Sequence, residues 1–496
     1  MKGDYGSAVV VREAAEADGP VMLLLAAAVF VGSQACRPCH GAIADAYAHT
    51  PMAQSSGPVD SVPPAEFTAA GHRYRIAGNR LIFDQGSAPF DYFVGSNTAG
   101  RSYLFRREGY LFELPVTWYA QKKIWDASPG YEHETEVRLN RPIDPTCLSC
   151  HASRARPVLG TQNRYGDPPF LENGVACERC HGPGSEHVRD PAASWMVNPA
   201  KLAPEARDSV CTQCHLTGGA RIERPSRRFV DFRAGDKLAD FVTYFVWNSG
   251  ADAFTVTSHV ERLARSGCKQ ASGDALWCGT CHQPHTNTNR TQAACQGCHA
   301  TAHHQEERCA DCHMPKTAAV DVGHGELTDH GIPRIPKRPA PVTNRPELVA
   351  FLGTADDRSL GLAYAELEDP RARDYLLRAR PADTDVLLRL ATLERDPKRS
   401  AALYEAVLRA DPARPAALVN LGVIHAQAGR AVEAGKLWER ALATNPAIEG
   451  AVLNLAQIRP PAEARKILER YLEFNPGAVT ARKRLDEITR SASPAR

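Results

Sequence analysis

After Cys312 the 496-residue chain contains no cysteine, and before it only Cys268 stands outside a repeated pattern. Cysteine chemistry is therefore confined to one part of the chain. Long apolar runs are also lacking. The one candidate, VMLLLAAAVFV from Val21 to Val31, is shorter than the ~20 residues a membrane-crossing helix needs, and no other segment is apolar enough to cross a bilayer. Methionine is scarce, with five residues, so one in a polar setting is less easily explained as core filler. A net charge of +2 favours neither acidic nor basic partners, and no nucleic-acid partner is expected.

What is present is one motif written seven times. Cys-x-x-Cys-His occurs with Cys36, Cys39 and His40; Cys147, Cys150 and His151; Cys177, Cys180 and His181; Cys211, Cys214 and His215; Cys278, Cys281 and His282; Cys295, Cys298 and His299; and Cys309, Cys312 and His313. This is the attachment signature of c-type haem. Two thiols add across the porphyrin vinyl groups and the adjacent histidine becomes the proximal iron ligand. A zinc knuckle or a redox dithiol would explain one copy, but neither needs a histidine directly after the second cysteine seven times over. The motifs predict seven covalent haem c groups. Cys268, the odd cysteine, reads as a buried thiol.

Covalent haem attachment takes place outside the cytoplasm, so the chain is expected to be exported, as its cysteine content permits. Residues 1–31 read as a signal peptide, with small residues for cleavage around Ala26–Ala28, or as an N-terminal anchor if uncleaved. Glu13, Glu16 and Asp18 lie where positive charge is expected, which also raises the possibility of a start codon chosen too early. Membrane association is expected only for the uncleaved form.

Length and composition predict two domains. The fold is read as mainly α. Residues 32–330 form a loop-rich haem domain with a small antiparallel β insert at 72–119, where aromatic and aliphatic residues alternate with polar ones. A Pro-rich linker spans 331–346. From 347 to 490 the chain is Ala, Leu, Glu and Arg-rich with helical periodicity, and Asp411-Pro412 and Asn445-Pro446 fall 34 residues apart. Leu418, Leu421, Gly422, Gly429, Ala434, Trp438, Ala441 and Pro446 resemble a tetratricopeptide repeat. Trp438 is expected to fill the groove to the next helix pair, and a polar capping helix is expected at about 478–489. Such a solenoid offers a concave surface to a peptide or partner protein, and no residue in it suggests catalysis.

The sixth ligand of each iron separates an electron carrier from an enzyme. Ten histidines remain outside the motifs and the repeats: His49, His72, His133, His187, His259, His285, His303, His304, His324 and His330. His187 follows a Gly-Pro-Gly turn, His285 lies just past a proximal histidine, and His259 heads a helix-like stretch. His324 and His330 lie in a tail able to wrap over earlier haems, and His303 competes with His304 for one place. His72 begins a strand and reads as a surface residue. For the first haem Met52 is the favoured ligand, with His49 second and an open face third.

GSQACRPCHGAIADAYAHTPMA, VGSNTAGRSYLF, ELPVTWYA, CERCHGPGSEHV, CGTCHQPH, CADCHMPK and TDH also carry a family resemblance, which extends from Gly32 to Ala478. The chain resembles bacterial multihaem cytochromes c with C-terminal tetratricopeptide repeats. These are related to the tetrahaem cytochrome of ammonia oxidisers and, more distantly, to hydroxylamine oxidoreductase and pentahaem nitrite reductase. In that group a methionine or histidine occupies the position of Met52. The resemblance implies periplasmic electron transfer with redox partner proteins. Every motif here ends in His, whereas pentahaem nitrite reductase commonly has a Cys-x-x-Cys-Lys haem, and no tyrosine matches the crosslink context of hydroxylamine oxidoreductase. The leading reading is a non-catalytic electron carrier. The alternative is an oxidoreductase acting on a small nitrogen or sulfur compound at a five-coordinate haem, and a scaffold with structural haems ranks last.

Overall fold

The computed structural model describes residues 29–248, 253–286, 288–299, 308–333 and 347–492. Helices predominate, with several small antiparallel sheets between them. Each motif lies on or at the end of a helix: Arg37–Ala48, Pro145–His151, Cys177–His181, Pro204–His215, Cys278–Cys281, Thr291–Cys298 and Cys309–His313. Helical spacing suits the motif because residues three apart share a face, so both thiols of a pair point the same way. Local signals start these helices. Asp144 accepts hydrogen bonds from the Thr146 amide at 2.7 Å and the Cys147 amide at 3.3 Å, with Pro145 in the first turn.

The β region is wider than the alternation at 72–119. Ser56–Pro58, Tyr92–Val94, Gly100–Arg107, Tyr110–Tyr119 and Ile124–Ala127 form one antiparallel sheet, and Ala65–Ala69, His72–Ala77, Arg80–Phe83 and Gly86–Pro89 form a second. Strands as short as Ser56–Pro58 carry too few side chains to show a period of two, so they pair without advertising it. Tyr74 and Ile76 from one sheet and Tyr103, Phe105, Phe112 and Val116 from the other enter a common core.

The C-terminal helices come in successive hairpins: Asp357–Glu366 with Ala372–Arg378, Thr384–Leu393 with Pro397–Ala410, Pro415–Gln427 with Ala431–Thr444, and Glu449–Ile458 with Pro461–Phe474. The helix Val479–Ala492 follows them. This is the geometry of a helical repeat. Asp396 caps one helix through the Lys398 and Arg399 amides at 2.8 and 3.1 Å. Trp438 is 2 % exposed and lies over Gly422 of its own hairpin, where any side chain would collide with the indole. The expected groove-filler thus closes its own pair.

The repeats are built into the rest of the molecule. Most of the Pro-rich linker, residues 334–346, lies outside the described residues. Just beyond it, Leu348–Leu352 pairs with Val242–Trp247, which pairs with Ala220–Glu223. Arg358, nearly buried, donates to the Glu223 carbonyl at 2.8 Å. At the other end Leu468, Tyr471, Phe474 and Ala478 complete the core of the β region. Asn475, 0 % exposed, accepts from the Leu139 amide at 2.9 Å. The division anticipated at 346 therefore falls where packing is continuous, because the apolar LVAFL strand and the Asn-Pro turns reach back across it.

Candidate functional site

At the centre of the motif helices lies a continuous cavity of about 4170 Å³. A site for one small molecule measures about 300–1,000 Å³, so this space suits several large groups. All fourteen motif cysteines and all seven motif histidines border it, as does Cys268. Thiols of different motifs lie side by side there: Cys36 with Cys177, Cys150 with Cys214, and Cys211 with Cys278. Longer-range electrostatic contacts join Cys180 to Cys211 and Cys214, and Cys295 to both Cys281 and Cys309. Numbered in chain order, the motifs form a row from first to third, fourth, fifth, sixth and seventh, with the second beside the fourth.

The histidines test whether haem fits. Two imidazoles on opposite sides of one metal each place a nitrogen about 2 Å from it, which sets their ring centroids about 6 Å apart. His40 and His187 are 6.3 Å apart with planes at 20°, His181 and His285 are 5.9 Å apart at 10°, and His282 and His330 are 6.1 Å apart at 29°. His215 and His259 are closer, at 5.2 Å, and nearly perpendicular. Each pair joins a motif histidine to one from outside the motifs. The three separations near 6 Å leave room for one atom, and the edge-on His215–His259 pair lies about an ångström short of that.

The ring nitrogens agree with this reading. Nδ1 of His181 donates to the Val197 carbonyl at 2.7 Å, Nδ1 of His187 to Ser194 at 2.7 Å, Nδ1 of His313 to Pro333 at 3.0 Å, and Nδ1 of His330 to Thr328 at 3.0 Å. Such bonds fix the tautomer and leave Nε2 for a metal. Burial, followed by the charge of neighbouring imidazoles, holds His215 and His259 down at about 4, and His330 likewise at about 4. These rings stay neutral, as metal ligands must be.

Other expected ligands sit differently. Met52, the favoured ligand of the first haem, borders the cavity, and the ring facing His40 belongs to His187. The Met52 carbonyl accepts from Val175 N at 2.9 Å and Ser55 Oγ at 2.8 Å, and Ser55 Oγ also reaches the His151 carbonyl at 3.0 Å, which sets this turn beside the second motif. His324 does not border the cavity. Its Nε2 bonds to Asp126 at 2.6 Å and its ring packs on Tyr119, so the tail turns it toward the β region. His49 and His133 are exposed, and His72 bonds to the Glu134 carbonyl at 3.3 Å. His303 and His304 lie outside the described residues.

Burial lowers the pKa of His151, and among the described residues no imidazole faces it, nor His299. The cavity wall on this side includes Ser102, Glu113 and Thr117 from the sheet. Ser102 and Thr117 share a hydrogen bond of 2.7 Å, and burial raises the Glu113 carboxyl even though Arg141 lies 3.1 Å away.

Residues 118–182 match the family model described as Cytochrome c554 and c-prime. That stretch holds the second and third motifs. The match is to a cytochrome c family and covers two of the seven motifs. No curated protein sequence matches it. Among solved structures, the outer cell wall cytochrome OcwA aligns over 86 % of this chain and 99 % of its own chain, at 16 % identity and a TM-score of 0.42.

Some residues that hold the site together carry no signal in the motif pattern. Tyr47, two turns beyond His40 on the first motif helix, packs edge-on to His285 at 6.4 Å and donates to the Val175 carbonyl at 2.6 Å. Glu178, between the two cysteines of the third motif and 3 % exposed, accepts from the amides of Val31 at 2.9 Å, Gly32 at 2.7 Å and Gly184 at 2.8 Å. Residues 1–28 of the anticipated leader lie outside the described residues, whereas Val29–Val31 are bound into the fold. Ser185 Oγ accepts from the Val29 amide at 2.9 Å, and Arg233 lies over the Phe30 ring at 5.0 Å.

Proposed function

We propose that this cytochrome is an exported electron carrier holding seven covalent haems, one per motif. Each haem supplies a one-electron iron couple, and the chain supplies the binding thiols, the axial imidazoles and a shared interior that limits water. The supporting observation is the run of neighbouring motif thiols through one cavity. Cys39 near one end and Cys298 and Cys312 near the other are exposed, so both ends lie near the surface where a redox partner can approach. A two-sided imidazole set at four motifs favours electron transfer over substrate chemistry.

The helical region is proposed to be a tetratricopeptide-repeat solenoid that docks a partner protein or peptide. Its Asn445 and Asn475 turns are taken up by the chain itself, through Gln162 and Leu139, so a partner would use faces that these turns leave open. The compartment is proposed to be the periplasm or another exported location. Among the described residues no helix is long and apolar enough to cross a membrane.

A second reading rests on His151. With no facing imidazole among the described residues and with Glu113 and Thr117 on the wall, the second motif is where a small nitrogen or sulfur compound would meet an open iron. One experiment separates the two: electron paramagnetic resonance of the oxidised protein, with carbon monoxide added to the reduced form. Wholly low-spin iron that binds no carbon monoxide supports the carrier and removes the enzyme reading. A high-spin centre that responds to nitrite or hydroxylamine does the reverse. Intact mass gives the haem count, and fewer than seven additions would overturn the seven-haem proposal.

A further inference from the structure

Four imidazoles form a continuous series through the middle of the cavity. His215 lies 5.2 Å from His259, His259 lies 4.7 Å from His330, and His330 lies 6.1 Å from His282. The outer two are motif histidines of the fourth and fifth sites, and the inner two are their distal partners. The inner pair is in direct ring contact. Whatever places one inner ring therefore constrains the other.

One ion pair joins the segments that carry them. His259 begins the helix His259–Ala264, and Arg262 lies one turn further along it. Arg262 Nε donates to Asp329 Oδ1 at 2.9 Å, and its Nη2 pairs with Oδ2 of the same carboxylate, forming a two-pronged contact. Asp329 immediately precedes His330 and is 7 % exposed. Its Oδ1 also accepts from the Gly331 amide at 2.8 Å, and its own amide donates to the Pro315 carbonyl at 2.9 Å. The neighbouring Glu261 carboxylate accepts from the amides of Thr217 at 3.3 Å and Gly218 at 3.0 Å, just past the fourth motif. The helix is thus fixed to the fourth motif on one side and to the His330 tail on the other.

We infer that Arg262 and Asp329 are positioning residues that set the distal ligands of the fourth and fifth haems as one unit. This rests on the multihaem reading above. A forked guanidinium–carboxylate contact specifies direction as well as distance, which a single hydrogen bond does not. Removing Arg262 strips the nearly buried Asp329 carboxylate of its guanidinium, a cost large enough to move a short tail segment.

The test uses the full-length holoprotein and the variants Asp329→Asn, Arg262→Gln and the double substitution. Intact mass first establishes haem loading of the wild type, and a wild type without haem refutes the underlying reading, not this inference alone. With loading established, each single variant should convert low-spin signal to high-spin and bind about one further equivalent of carbon monoxide. The double variant should match the singles, because the two residues act as one unit. Single variants with the wild-type low-spin content and carbon monoxide stoichiometry would overturn the inference, as would a double variant whose effect is the sum of the two. Should Asp329→Asn fail to load haem, Arg262→Lys, which keeps the charge and loses the fork, decides the matter. A partial high-spin fraction supports the pair as positioner, and an unchanged spectrum overturns it.

Discussion

His285 and His181 face one another with 5.9 Å between ring centroids and 10° between ring planes, although the fourth and fifth motifs lie between them in sequence. A histidine that follows one motif thus faces the motif histidine of another. His285→Ala should leave haem attachment intact, since the thiols are untouched, and should open the third site. The check is one new high-spin signal with intact mass unchanged. A spectrum identical to wild type would show that His285 is no ligand.

The first site gives a paired comparison. His187→Ala should expose its iron to carbon monoxide, whereas Met52→Leu should leave its spectrum unaltered, because His187 is the ring 6.3 Å from His40. An absorption band of thioether-to-iron origin in the wild type, abolished by Met52→Leu, would reverse this assignment.

Glu178→Gln should destabilise the protein by about 2–3 kcal/mol, the range for hydrogen bonds to a buried charged acceptor. Three amide donors converge on that carboxylate, two of them from the amino-terminal segment. Denaturant titration of the holoprotein measures the loss. For the same reason the mature chain should retain Val31 and Gly32, and terminal sequencing that places its start beyond Gly32 would contradict the fold at this point.

Burial raises the Glu113 carboxyl, an effect its contact with Arg141 only partly offsets. A carboxyl with a folded pKa above its unfolded value of about 4.3 contributes stability that is complete below that value and disappears as pH rises through the folded pKa. Glu113→Gln should therefore flatten the fall in stability between weakly acidic and neutral pH. Equal slopes for variant and wild type in denaturant titrations across that window would count against a raised pKa.

Asn475→Ala should cost about 2 kcal/mol through the unpaired Leu139 amide it leaves in a dry site. The side chain also donates to Tyr471 Oη at 2.9 Å, so the loss falls on the junction between repeat and sheet. Limited proteolysis should show faster cleavage near that junction.

The attachment chemistry was legible because it is local: five consecutive residues state thiols, spacing and proximal ligand together. His187, His259, His285 and His330 could be nominated from turn residues and from their position near motifs. Their pairing could not, since it depends on how separate helices meet. Met52 drew notice for its rarity, and the ring that faces His40 is that of His187, beyond a Gly-Pro-Gly turn. His324 shares the tail of His330 but faces Asp126, and six residues of spacing do not say which of the two turns inward. The helical hairpins were written in periodicity, whereas their merger with the β region depends on Asn475 and Phe474 meeting partners far away in sequence.

The core shared by the sheets and the last helices sets an order of assembly. Phe112 and Phe474 touch within it, 6.1 Å between ring centroids, yet most of the chain lies between them in sequence. Contacts so distant in sequence form late, because a long loop must close before they stabilise anything. A chain that emerges amino end first cannot complete its β region until its final helices have followed. The interior that the motif cysteines border therefore closes last, and a chain cut short before Phe474 would leave the core of the sheets unfinished.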